Sequence, residues 1–153
     1  MFRLRPMTEA EFEPYLVQTI EDYARERSSN FNTPIDEERL TAREQLTGLL
    51  EDGLQTEDQH IWVLEHATNG RVGQIWVNVD EAPQHAFIFD VAIDVAQRGK
   101  GYGKCILELL DDQLRTMGMR SVGLNVFSKN AVALNLYRKH GFTITNYNMQ
   151  KDL

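Results

Sequence analysis

Ala86-Phe87-Ile88-Phe89-Asp90-Val91-Ala92-Ile93, followed after a short link by Arg98-Gly99-Lys100-Gly101-Tyr102-Gly103-Lys104, is the stretch on which the reading of this 153-residue chain turns. The first part is apolar almost without interruption, the pattern of a strand inside a sheet rather than at its edge. The second part sets Gly99, Gly101 and Gly103 among Arg98, Lys100 and Lys104, directly ahead of a helical pattern carried by Ile106, Leu107, Leu109, Leu110 and Leu114. Glycines let a backbone approach a ligand closely and take conformations closed to other residues. The first turn of the helix adds unpaired N–H groups and the positive end of its dipole. A strand, a glycine loop and a helix in this order make an anion site suited to phosphate.

Two familiar phosphate loops do not fit. A dinucleotide fingerprint begun at Gly99 needs glycine where Lys104 stands. A P-loop ending at Gly103-Lys104 needs glycine at the place of Arg98 and Ser or Thr at the place of Cys105.

Outward from the loop, the rest of the chain alternates strand and helix patterns. Phe2 and Leu4 alternate with Arg3 and Arg5 as in a short half-buried strand. Thr8 and Glu11 have the spacing of a capping box, with Met7 and Phe12 placed as its hydrophobic staple. Phe12, Leu16, Ile20 and Tyr23 then give one apolar helix face through about Arg27. Ser28 to Thr33 is a polar break, and Thr33-Pro34 opens a second helix running to about Glu51 and ended by Gly53. Ile61 to Glu65 and Val72 to Val79 read as a hairpin around Asn69-Gly70. Trp62 and Trp76, on these facing strands, are packing residues. After the loop helix, capped by Gly118, come a strand over Ser121 to Phe127, a helix over Ala131 to Lys139 ended by Gly141, and a last hairpin from Phe142 onward. The order is β-α-α-β-β-β-α-β-α-β-β. It predicts one α/β domain over residues 1–153, a layered structure around a mixed sheet.

Composition narrows the function classes. With 42% hydrophobic and 25% charged residues, the chain has the balance of a soluble globular protein. No apolar run approaches the roughly 20 residues of a membrane span, and the first residues lack the apolar core of a signal peptide. A single cysteine, Cys105, excludes an internal disulfide framework and fits a cytoplasmic setting. It falls on a mostly buried helix and reads as a small packing residue rather than a nucleophile. The net charge of −7 disfavours nucleic acid and anionic membrane as partners, leaves room for a local basic site, and favours a cationic or amine substrate. His60, His66, His85 and His140 are scattered without paired ligand spacing, so no metal site is expected.

The segment Arg98-x-x-Gly101-x-Gly103 resembles the pyrophosphate-binding motif of the GNAT superfamily of N-acetyltransferases. Asn130-Ala131-Val132-Ala133-Leu134-Asn135-Leu136-Tyr137, with Gly141-Phe142 beyond it, is similar to that family's second signature. The element order matches as well, so the resemblance covers essentially the whole chain. It is closest to small bacterial members of the YycN type, whose first helix carries a segment like Tyr23-Ala24-Arg25-Glu26.

The resemblance implies a GNAT fold: a mixed, mostly antiparallel sheet of six to seven strands flanked by about four helices. It implies acetyl-CoA as the acyl donor and a small-molecule or peptide amine as the acceptor. The strand over Ala86–Ile93 would part from the strand over Val122–Phe127 in a V-shaped gap. The main chain of Val91 and Ile93 would hold the pantetheine arm, with an N–H near Val91 facing the thioester oxygen as an oxyanion donor. The amides of Arg98, Gly99, Lys100, Gly101, Tyr102, Gly103 and Lys104 would take the pyrophosphate, and Asn130 would bond the arm from across the cleft. Tyr137 is the candidate acid that returns a proton to the leaving thiolate; the plain alternative is an aromatic packed under Phe142. The family's glutamate base falls near Phe87, which cannot serve. Asp90 and Glu26, with Tyr23, are the candidates for contacting the acceptor, against readings as a hydrogen-bonded structural acid and a solvated helix face. The competing function is a non-catalytic module that binds acyl-CoA. Homodimers are common in the resembled family, but no residue here fixes one.

Overall fold

The capping box forms as the sequence asks. Thr8 Oγ1 accepts from the Glu11 amide at 3.3 Å, and the Glu11 carboxylate accepts from the Thr8 amide at 3.0 Å. From it runs helix α1 (Glu9–Phe31), which exceeds the expected end near Arg27 by a turn. The predicted polar break shrinks because Phe31 packs edge-on against Phe127, with ring centroids 6.0 Å apart, and draws the last turn in. Asn32 then stops the helix in the left-handed region at φ 54°. Helix α2 (Ile35–Leu49) follows Pro34 and returns against α1. Between them Glu38, only 6% exposed, accepts from Arg27 at 2.6 Å and Thr33 at 2.8 Å. Desolvation alone would raise its pKa, but these bonds outweigh it and hold the carboxyl below its ordinary value.

The computed structural model describes residues 1–153. Its strands are β1 (Phe2–Pro6), β2 (Gln59–His66), β3 (Gly70–Asp80), β4 (His85–Ile93) and β5 (Ser121–Leu124), in that spatial order. The first three pairings are antiparallel, and β5 runs parallel to β4. Helices α1 and α2 cover one face. On the other face lie α3 (Tyr102–Thr116) and α4 (Ala131–Lys139). Alternation divides the strand residues between two cores. Trp62, Leu64, Ile75 and Val77 join Ile106, Leu107 and Leu110 under α3, while Ile61, Val63 and Trp76 join Tyr15 and Leu46 under α1 and α2. No helix is long and apolar enough to cross a membrane.

Two expectations need correction. The sheet has five strands, not six to seven, because the chain beyond Phe142 forms no hairpin and no strand at all. The strand expected over Ser121 to Phe127 stops at Leu124, because pairing with β4 stops at Ile88. There β4 has a bulge: Trp76 stands opposite Asp90 and Val77 opposite Ile88, leaving Phe89 extra.

That bulge positions the site. With strict alternation, Asp90 would share the face of Ala86 and Ile88, both buried under α3. The extra residue turns Asp90 to the α1 side, where it meets Tyr15, and returns Val91 and Ile93 to the α3 side.

Candidate functional site

The loop between β4 and α3 is built of unpartnered donors. A short 3-10 turn (Val95–Gln97) leads into it, and Arg98 closes that turn with its amide on the Val95 carbonyl at 3.4 Å. The six amides that follow, Gly99 through Lys104, donate to nothing in the protein. Gly101 is the N-cap of α3, with φ 79° and no side chain to close the helix start. A Cβ on Gly103 would stand 2.9 Å from Leu136, so this glycine seats α3 against α4. Of the loop cations, Arg98 braces the approach by donating from Nε to the Ile93 carbonyl at 2.9 Å. Lys100 donates to Gln97 at 3.1 Å, and Lys104 lies 3.7 Å from Glu108 in the open. The amide of Arg98 therefore drops out of the expected set of anion donors; Gly99 to Lys104 remain.

Beside the loop the sheet is open. From Asp90 to Ile93, β4 keeps its partner β3 but has no strand on its other side. Val91 and Ile93 lie on this stretch. The two helical layers face each other through the opening. Tyr137 of α4 is half-buried, with its ring edge-on to Phe142 at 5.8 Å. Burial first, then the charges of Asp90 and Glu26 from the opposite layer, push its phenol up to about 12. Burial first, and then the charges of Asp90 and Asp22, raise Glu26. Asp90 is raised by its dense surroundings above all, against the hydrogen bonds that oppose the shift.

Those bonds fix Asp90 in one orientation. Oδ2 accepts from the Tyr15 phenol at 2.8 Å and from Gln74 Nε2 at 3.4 Å. Gln74 is itself held by Arg71, which donates to its carbonyl at 2.6 Å and lies 3.4 Å from Asp94 at the head of the loop. Tyr15 is 5% exposed, and burial followed by the charge of Asp90 moves its phenol well above its ordinary value, so it stays a donor. Oδ1 has no protein partner; because no buried side-chain oxygen lacks one, Oδ1 reaches solvent. One oxygen is locked and the other presented.

A profile of the acetyltransferase (GNAT) family matches residues 31–142, from the end of α1 to Phe142. The chain belongs to the GNAT acetyltransferase family. Its similarity to the uncharacterized N-acetyltransferase YycN of Bacillus subtilis is 38% identity over 152 residues, covering 98% of this chain and 97% of that protein. YdgE of the same organism, also an uncharacterized N-acetyltransferase, is 31% identical over 99% of this chain and 98% of its own length. The crystal structure of Bacillus subtilis YycN superposes with a TM-score of 0.96 at 37% identity, over 100% of this chain and 99% of that one. Members of this family are acetyltransferases that use acetyl-CoA.

Against the GNAT expectations, the structure brings Tyr137, Glu26 and Asp90 to one opening beside the loop. Asn130 is the N-cap of α4, its carbonyl oxygen accepting from the Ala133 amide at 3.2 Å, which leaves its NH2 group free of that bond. Tyr23 stacks on Phe127 at 6.4 Å, with the Arg27 guanidinium 5.9 Å from its ring. Cys105 is half-buried, and burial pushes its thiol up, which suits packing rather than nucleophilic attack. The sequence reading missed Tyr15, Gln74 and Arg71. One signal was present: Tyr15, Thr19, Asp22 and Glu26 repeat at steps of four, three and four, a polar stripe down α1 beside the apolar one.

Proposed function

We propose that the chain transfers the acetyl group of acetyl-CoA to a primary amine, on a small molecule or a peptide, by direct attack within a ternary complex. The observation that carries this reading is the run of six unpartnered amides, Gly99 to Lys104, ending beside an opening in the sheet that is ringed by Tyr137, Glu26 and Asp90. Bound there, acetyl-CoA supplies an activated acyl group on sulfur.

The protein's part is to hold, orient and move protons. The amides of Gly99 to Lys104 and the dipole of α3 hold the pyrophosphate. The main chain of Val91 and Ile93 lines the opening and holds the pantetheine arm, and the Val91 amide faces the developing oxyanion. Tyr137, protonated throughout the neutral range, donates toward the sulfur as it leaves. A phenol near 12 is a poor donor to a thiolate of ordinary pKa about 8.5. Burial sets much of that value, but Asp90 and Glu26 add to it. A cationic acceptor seated between them offsets their field, so the phenol becomes a stronger acid once the acceptor is in place. The raised carboxyls of Asp90 and Glu26 are in turn better bases than ordinary ones and suit the ammonium proton that must be removed before attack.

The test is to incubate the protein with acetyl-CoA and a panel of primary amines while following free thiol. Thiol release that depends on the amine is expected. Tight acetyl-CoA binding with no amine-dependent release across the panel would favour a non-catalytic acyl-CoA module and overturn the proposal. With an active acceptor in hand, Tyr137→Phe should lower kcat by about 100-fold or more. An unchanged kcat removes Tyr137 from the acid role.

A further inference from the structure

Arg71 and Gln74 stand three apart on β3 and, in a regular strand, would face opposite sides of the sheet. A second bulge prevents this. Glu65 stands opposite Arg71 and Leu64 opposite Gly73, so Val72 is the extra residue and the two side chains meet on the α1 side. The carbonyl of Val72 accepts from the Asp94 amide at 2.9 Å, which fastens the head of the glycine loop to the same bulge.

Each nitrogen of the Arg71 guanidinium has its own partner there. Nη2 donates to Gln74 Oε1 at 2.6 Å, Nε lies 3.4 Å from Asp94 Oδ2, and Nη1 lies 3.8 Å from Glu11 Oε2. A guanidinium carries donors only, so the Gln74 atom facing it must be the oxygen. The NH2 group must then turn to Asp90, 3.4 Å away. Gln74 is 9% exposed, so a reversed amide would bury its NH2 group against a cation. Asp94 needs the same cation for another reason. It begins the turn into the anion site, its carbonyl accepting from the Gln97 amide at 2.7 Å, and a bare carboxylate there would repel pyrophosphate.

We propose that Arg71 is a positioning residue for both halves of the reaction: it neutralises Asp94 at the head of the glycine loop and, through Gln74, sets the orientation of the Asp90 carboxylate. The inference rests on the reading that the loop takes acetyl-CoA and the opening takes an amine.

Asp90 is faced by Tyr15, Asp22 and Glu26 from α1, by Arg71 and Gln74 from β3, and by Tyr137 from α4. Burial first, and then the charge of Asp22, raise its carboxyl, while Tyr15, Gln74 and Arg71 hold it down. Loss of either β3 residue should therefore make Asp90 harder to ionise, which a role in stability alone would not do. Arg5 still holds Glu11 when Arg71 is replaced, so the start of α1 stays closed.

Two measurements on the full-length protein need no amine. By carboxyl-carbon NMR, Asp90 should titrate at higher pH in Gln74→Leu and in Arg71→Met than in the wild type. By calorimetry, Arg71→Met should bind acetyl-CoA about tenfold more weakly, while Gln74→Leu and Arg71→Met/Asp94→Asn should bind it as the wild type does. With an amine that the wild type acetylates, both single variants should lower kcat/KM for that amine by about tenfold or more. The rise of activity with pH should move to higher pH in both, because Asp90 must lose its proton to serve as a base. An Asp90 titration that neither variant moves overturns the proposal, as does an acetyl-CoA affinity that Asp94→Asn fails to restore or a kcat/KM equal to wild type. A wild type inactive toward every amine, with the titration and affinity results as expected, would count against acetyl transfer and not against the role of Arg71.

Discussion

Helices α1 and α3 begin in opposite ways. At the start of α1, Thr8 and Glu11 satisfy each other's donors, Glu9 and Glu11 complement the dipole, and Arg5 donates to the Glu11 carboxylate at 2.8 and 3.0 Å. At the start of α3, Gly101 has no side chain, the first turn has no acid, and the amides from Gly99 to Lys104 are unpartnered. Both ends follow the same electrostatics. The first is closed by its own residues and contributes stability; the second is left for an anion from outside. Helix α4 lies between them, since Asn130 closes one donor with its oxygen and keeps its NH2 group free.

The strongest way to break this comparison is to close α3 from within. Gly101→Asp places a carboxylate against the free amides and adds strain at φ 79°. Acetyl-CoA affinity measured by calorimetry should fall by about 100-fold or more, roughly 3 kcal/mol of lost anion binding plus strain. An affinity within a few-fold of wild type would mean the pyrophosphate sits elsewhere.

Opening α1 should do the reverse. Glu11→Gln should lower unfolding stability by about 2 kcal/mol and leave acetyl-CoA affinity unchanged. The Arg5 hydrogen bonds hold the Glu11 carboxyl at about 2, below its ordinary 4.5. A depressed folded-state pKa stabilises above the unfolded value and is lost as pH falls through the folded one. The stability gap between wild type and variant should therefore be full above about pH 5 and close as pH drops toward 2 in denaturant titrations. A gap independent of pH would assign the loss to packing.

The smallest effect should come at α4. Asn130→Asp keeps the capping oxygen and removes the NH2 donors, so thermal stability should hold while acetyl-CoA affinity falls by about tenfold. Loss of stability without loss of affinity would make Asn130 a cap and nothing more.

These helix starts were legible because capping is local: the residues that decide it lie within four positions of one another. The glycine loop was legible for the same reason, and so was the hairpin at Gly70, which takes φ 69°. Asp90 was visible as an acid on a strand, but its partner was not. Strict alternation assigns Asp90 to the α3 core, and only the bulge opposite Trp76 and Val77 carries it to Tyr15, 75 positions away. The amide of Arg98 was read as a ligand donor because the sequence does not reveal that the turn from Val95 already uses it. Tyr23 was visible in its motif, but its stacking on Phe127 was not, because the two lie 104 positions apart. The last hairpin failed differently. Its strand composition is real, but a strand needs a neighbour, and no edge within the chain takes it.

The sequence by itself thus determined the glycine loop, the start of each main helix and the residue types around the site, since backbone conformation and dipole act over one or two turns. Tertiary structure alone decided where the sheet parts, which oxygen of Asp90 is locked and which presented, and that Tyr137 faces Glu26 and Asp90 across the opening. These depend on register and layer packing between segments far apart in the chain, where a shift of one residue turns every following side chain to the other face. The loop that decided the fold is local; the chemistry beside it is not.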